Sequence, residues 1–119
     1  MGRVTTIPYL NRQILQIDFN GCAPGKFGPI IEEAMGALSR EPPGSVLAMT
    51  LLQNVHFDPS TVVEMERFVR RAQPFLKANA LIGIDGLKKV VFFGVKPLYR
   101  TPVELFDGPD AAKQWLAAR

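Results

Sequence analysis

The chain opens with two extended stretches, Val4 to Leu10 and Gln13 to Phe19, around Asn11-Arg12, which suits a two-residue hairpin turn. In the second stretch Leu15, Ile17 and Phe19 share one face, and Ile14, Gln16 and Asp18 share the other. NGCAPGKFG then supplies turn formers. Phe27, Ile30, Ile31, Ala34 and Leu38 recur at helical spacing, with Pro29 suited to the first turn and EPPG ending the helix.

SVLAMTLLQNV is a nearly unbroken apolar run, as a strand covered on both faces requires. A second helix follows, with Val62, Met65, Val69 and Ala72 on one side and Pro74 near its end. ALIGI, residues 80 to 84, reads as another buried strand. KKVVFFGV has a strand-like composition, yet Leu87, Val90, Val91, Val95 and Leu98 fall on one side of a helical wheel, and a helix is expected. A last strand, Val103 to Phe106, leads through DGPD into a helix carrying Ala112, Trp115 and Leu116.

The predicted order is ββαβαβαβα. Alternation of this kind favours parallel pairing with right-handed crossovers. The opening hairpin adds an antiparallel edge. The expected fold is therefore α/β, two-layered, with a mixed, mostly parallel sheet and four helices mainly on one face.

At 119 residues the chain is expected to form one domain, residues 1 to 119. A chain of this size buries roughly two-thirds of its unfolded surface, enough for a core without staples. The net charge of +3 is mild and scattered, the longest basic runs being pairs. That pattern argues against nucleic acid as a partner. Cys22, the only cysteine, closes no disulfide within the chain, and no Cys/His set has zinc spacing. No apolar run approaches the ~18 residues of a membrane span, and MGRVTTIPYLNR lacks the apolar centre of a signal peptide. A cytoplasmic protein is expected, with no cofactor and no metal.

The hairpin, PPGSVLAMTLLQNVHFDPSTVVEM, LIGIDGLKKVVFFGV and VELFDGPDAAKQWL together resemble STAS-like domains. These are SpoIIAA-like relatives of bacterial anti-sigma factor antagonists, and the resemblance is to their small stand-alone members. It spans nearly the whole chain, and Gly83, Gly86, Leu87, Lys88 and Lys89 are its most distinctive local part. The resemblance implies a protein–protein switch, in which a kinase phosphorylates a serine at the start of the helix after the third strand. Here Asp58 matches the acid of that motif, but Pro59 stands in the acceptor's place and has no hydroxyl. The usual switch is therefore not carried over. Ser60 and Thr61 stay as candidate acceptors beside Asp58.

Helix capping accounts for Asp58, Pro59, Ser60 and Thr61 without any chemistry. His56 has no second histidine to work with, and no nucleophile elbow occurs, so no catalytic residue is expected. Asp18, Asp58, Asp85 and Asp107 all fall near strand ends, where carboxylates could gather around Mg²⁺. Turn and cap chemistry explains each separately. Gly83 and Gly86 with two lysines are a faint phosphate cradle, better read as a strand-to-helix turn.

On the ambiguous helix, Phe92 and Phe93 are expected on the side away from the core, near Lys89 and Lys96. Aromatics on a basic face call for a cover, either internal, from the C-terminal helix or the loop around Leu98 and Tyr99, or from another molecule, which makes them a candidate interface. The leading expectation is a non-enzymatic interaction or regulatory module that binds a protein partner or a second copy of itself. The alternative is a carrier of a small hydrophobic ligand, because the fold resembles that of CRAL-TRIO lipid carriers and Phe92, Phe93, Leu98 and Tyr99 could line an entrance. A metal-dependent enzyme ranks last.

Overall fold

Five strands and four helices alternate in the expected order: β1 (Val4–Tyr9), β2 (Arg12–Asp18), α1 (Phe27–Leu38), β3 (Val46–Leu51), α2 (Pro59–Ala72), β4 (Leu76–Ile82), α3 (Leu87–Val95), β5 (Val103–Phe106) and α4 (Pro109–Ala117). The structure, a computed structural model, describes residues 2–119; the side chains of Leu87, Val91, Val95 and Leu98 lie outside the description.

The strands form one sheet in the order β1-β2-β3-β4-β5, antiparallel between β1 and β2 and parallel elsewhere. Spatial order follows chain order, so every crossover from β2 to β5 steps in the same direction. Right-handed crossovers that all step one way place their helices on one face. Thus α1, α2 and α3 share a face, packed over Ile17, Phe19, Ala48, Leu52 and Leu81. The chain leaves β5 with no further strand to reach, and α4 returns across the other face, over Ile14, Leu47, Met49, Ala80 and Ile82.

The buried stripe of α1 is the one its spacing predicts: Phe27, Ile30, Ile31, Ala34 and Leu38. On α2 the buried positions include Thr61 and Phe68 as well as Val69 and Ala72, while Val62 and Met65 are only partly covered. β4 begins at Leu76, four residues before the expected ALIGI, because a short 3-10 turn over Gln73–Phe75 ends the helix and delivers the chain directly into the sheet.

The hairpin turn is a correction. It is Leu10-Asn11, with φ of 47° and 63°, rather than Asn11-Arg12. Both central residues of this turn need positive φ, which Asn tolerates. The resulting register sets Ile7 opposite Ile14. Turning at Asn11-Arg12 would instead slide Ile7 opposite Gln16 and lose that apolar pair. Pro8, which cannot donate to a ladder, lies on the edge strand β1.

Helix α3 forms where the wheel predicts it, and Gly86, at φ 51°, precedes its first turn. Its orientation differs from expectation. Val90, expected to face the core, is 69% exposed, while Phe92, expected outside, is buried at 7%. The expected placement of Leu87, Val91, Val95 and Leu98 falls on side chains outside the described set. No helix among the described residues is long and apolar enough to cross a membrane.

Candidate functional site

The β3–α2 junction starts a helix. Asp58 is its N-cap, and the Asp58 Oδ1 accepts from the Thr61 amide at 2.8 Å and from the Ser60 hydroxyl at 3.0 Å. The amide bond is the main reason the Asp58 carboxyl sits below its ordinary pKa, and the Ser60 hydroxyl adds to it. Thr61 is wholly buried, so of the two candidate acceptors only Ser60 is exposed to another molecule. His56 is exposed in the same loop.

Of the four strand-end aspartates, Asp85 and Asp107 line one open pocket together with Lys88, and Asp18 and Asp58 do not join them there. Among the described residues no group of three Asp, Glu, His or Cys could hold a metal ion. Asp18 accepts from the Asn20 amide at 2.9 Å and faces Arg3 at 3.5 Å, and Asp85 faces Lys88 at 4.0 Å. Asp18 thus serves its own turn, as turn chemistry suggests, and Asp85 the first turn of α3.

Gly83 and Gly86 also serve the backbone. At Gly83, φ is 98°, and a Cβ would come within 2.6 Å of the Gln53 amide nitrogen, so no other residue fits between the ends of β3 and β4. Lys88 folds back over this crossing and donates to the carbonyls of Leu52 at 3.4 Å and Gly83 at 3.3 Å. Its ammonium ties two strand ends together. Cys22 is buried and its thiol is pushed up, chiefly by that burial, which is the environment of an inert thiol.

Two features stand apart from these structural contacts. The first is the outer side of α3, where Val90 and Phe93 are exposed at 69% and 59%. Lys96 holds its Nζ 5.9 Å from the ring centres of both Phe92 and Phe93, and Lys89 is exposed on the same short helix. The candidate interface residues therefore divide: Phe93, Lys89 and Lys96 lie outside, whereas Phe92 turns inward. An edge contact of 5.4 Å links the two rings across that divide.

The second feature is a cavity of about 60 Å³ between the sheet and α2–α3, lined among others by Ala48, Leu52, Met65, Val69, Phe92 and Tyr99. Its volume is several times the ~10–15 Å³ that one water requires. Most of the lining is apolar, but one wall carries a short polar row. The Thr50 hydroxyl donates to Asn79 Oδ1 at 3.0 Å, and the Asn79 side chain also bonds the Tyr99 hydroxyl. Thr50 and Asn79 are diagonal neighbours on β3 and β4, since Ala48 is the residue directly opposite Asn79. Tyr99 is half-buried as a residue, and burial pushes its phenol up to about 12 despite the Asn79 bond, which works the other way.

Sequence reasoning placed Phe92 and Tyr99 near an entrance, and both line this cavity; Phe93 does not, and Leu98 lies outside the described side chains. Thr50 and Asn79 were missed. The available signal was a lone polar residue inside each of two otherwise apolar strands, VLAMTL and the second half of LKANALI. A buried Asn needs partners, and that need points to a neighbouring polar group.

No protein-family model and no curated protein matches the chain. Among solved structures it is similar to an uncharacterized protein of the DUF3478 family with a SpoIIAA-like fold, from Shewanella loihica PV-4. The TM-score is 0.73 at 11% identity, over 95% of this chain and 91% of that one. At such identity the likeness concerns architecture: the chain has a SpoIIAA-like, STAS-type fold.

Proposed function

We propose that this chain is a non-enzymatic, cytoplasmic interaction module whose contact surface is the outer side of α3. The observation that carries the reading is the exposure of Val90 and Phe93 beside Lys89 and Lys96 on a helix, Leu87–Val95, that contains no acidic residue. Such a face suits a partner protein offering an apolar patch with an acidic rim. Pairing with a second copy through the same face would bring two lysines from each chain together, which opposes self-association there. Sizing with pull-down tests the reading. The wild type is expected to retain an acidic partner that Phe93→Ser loses. Equal capture by both proteins, or no partner for the wild type, overturns it.

A second reading, a carrier of a small hydrophobic ligand, is favoured by the cavity. Concave, mostly apolar sites with a few convergent polar groups are the usual form of small-molecule sites. Native mass spectrometry of freshly purified protein is expected to show a bound small molecule. Its absence, together with no binding of any small apolar probe, defeats this reading.

A further inference from the structure

The cavity's lining holds more information than its size. None of the described residues that line it is charged. Among the described residues the polar side chains that line it are Thr50 and Asn79, exposed at 3% and 6%, and Tyr99 through its hydroxyl. A core built only for stability would place aliphatic residues at such positions, because each buried polar group must regain the hydrogen bonds it had in water. Here the three groups satisfy one another in a row. A hydroxyl has one donor and two acceptor positions, and an amide side chain has four in all. The bonds within the row use only part of that capacity, so it can take a further donor or acceptor from a molecule in the cavity.

Resting on the carrier reading above, we propose that the cavity takes a small, neutral, mainly apolar molecule bearing one hydroxyl or carbonyl group, held by the row Thr50–Asn79–Tyr99. Charge decides against a fatty acid. A carboxylate in this lining would find no cation, and an unpaired buried charge is far costlier than a neutral polar group. A pure hydrocarbon would fit the apolar walls but leave the row's remaining capacity unused.

The test uses three matched probes, 1-pentanol, pentanoate and pentane, with binding read at pH 7 from protein amide shifts. The expected result is pentanol binding at least ~tenfold tighter than pentanoate, a lower bound because an uncompensated charge costs far more than one neutral hydrogen bond. Thr50→Val and Tyr99→Phe each remove one hydroxyl and nearly keep the shape. Both are expected to weaken pentanol by roughly tenfold, about one hydrogen bond, and to leave pentane unchanged. Asn79→Leu should act likewise, and the two hydroxyl variants suffice if it fails to fold. Pentanoate binding as tightly as pentanol overturns the neutral-ligand inference while leaving the carrier reading standing. Pentanol affinity that is indifferent to Thr50→Val and Tyr99→Phe, or that falls in step with pentane, overturns the anchoring row. If none of the three probes binds, the carrier reading itself fails.

Discussion

On one face of the sheet, α4 lies against Ile14, Leu47, Met49, Ala78, Ala80 and Ile82, contributing Ala112 and Leu116, both fully buried. On the other, three helices share the cover, and between α2–α3 and the strands they leave the cavity with its polar row. The difference lies in side-chain size and chemistry. Alanines at 78, 80 and 112 let a single short helix sit close over the centre of the sheet, where the buried residues that pack together are apolar. On the opposite face Ala48 and Ala72 also present small side chains, but across a gap, and Thr50 and Asn79 bring polarity to it. Native interiors seldom keep voids larger than a water. One face therefore meets the requirements of stability, and the other departs from them where a ligand site would be.

The largest effect should come from the close-packed side. Leu116→Ala is expected to cost about 2–5 kcal/mol in urea unfolding, because its pocket is filled on all sides. A loss below this range would mean that α4 is more loosely seated than its full burial indicates.

Alkaline pH should act through the cavity side. The Tyr99 phenol is raised from 10.0 to about 12, so the folded state holds this proton more tightly than the unfolded state does. The stabilisation is complete below pH ~10 and is lost as pH rises from about 10 towards 12, amounting to at most about 2–3 kcal/mol. Tyr99→Phe should lack this loss. Parallel stability curves for the two proteins over that range would contradict the burial of the hydroxyl.

Adding volume separates the faces directly. Ala80→Val on the α4 side should cost about 1–3 kcal/mol through overpacking. Ala48→Val, which grows into the cavity, should change stability by less than about 1 kcal/mol and reduce pentanol binding. Similar costs at both positions would erase the contrast. Smallest of all, Phe93→Ser on the exposed side of α3 should leave stability within about 0.5 kcal/mol, as surface changes usually do. Its effect is expected on partner capture alone.

Much of the architecture was legible because it depends on local periodicity. The α1 stripe follows from 3.6-residue spacing, and the alternating order of strands and helices implies the parallel sheet. The junction at Asp58 was equally readable, since capping is settled within a few residues. The hairpin turn was placed one residue late because Leu10 is an unlikely residue for positive φ; cross-strand pairing of Ile7 with Ile14 overrode that local preference. The facing of α3 was misjudged because apolar residues surround nearly the whole helix. Its lysines, Lys88 and Lys89, both lie in the first turn and Lys88 folds back onto the strand ends, so they do not mark the outward side further along, and Phe92 and Phe93 could be told apart only by what each one meets.

The sequence by itself determined which segments become strands and helices, since hydrogen bonding along the backbone and the period of apolar residues act over short distances. Only the tertiary structure decided that α4 crosses to the far face, that Thr50, Asn79 and Tyr99 form a row, and that the strand-end aspartates do not gather into a group of three. Those outcomes depend on contacts between residues distant in the chain, whose separation is set by the register of the strands and the packing of the helices, and no local pattern encodes that distance.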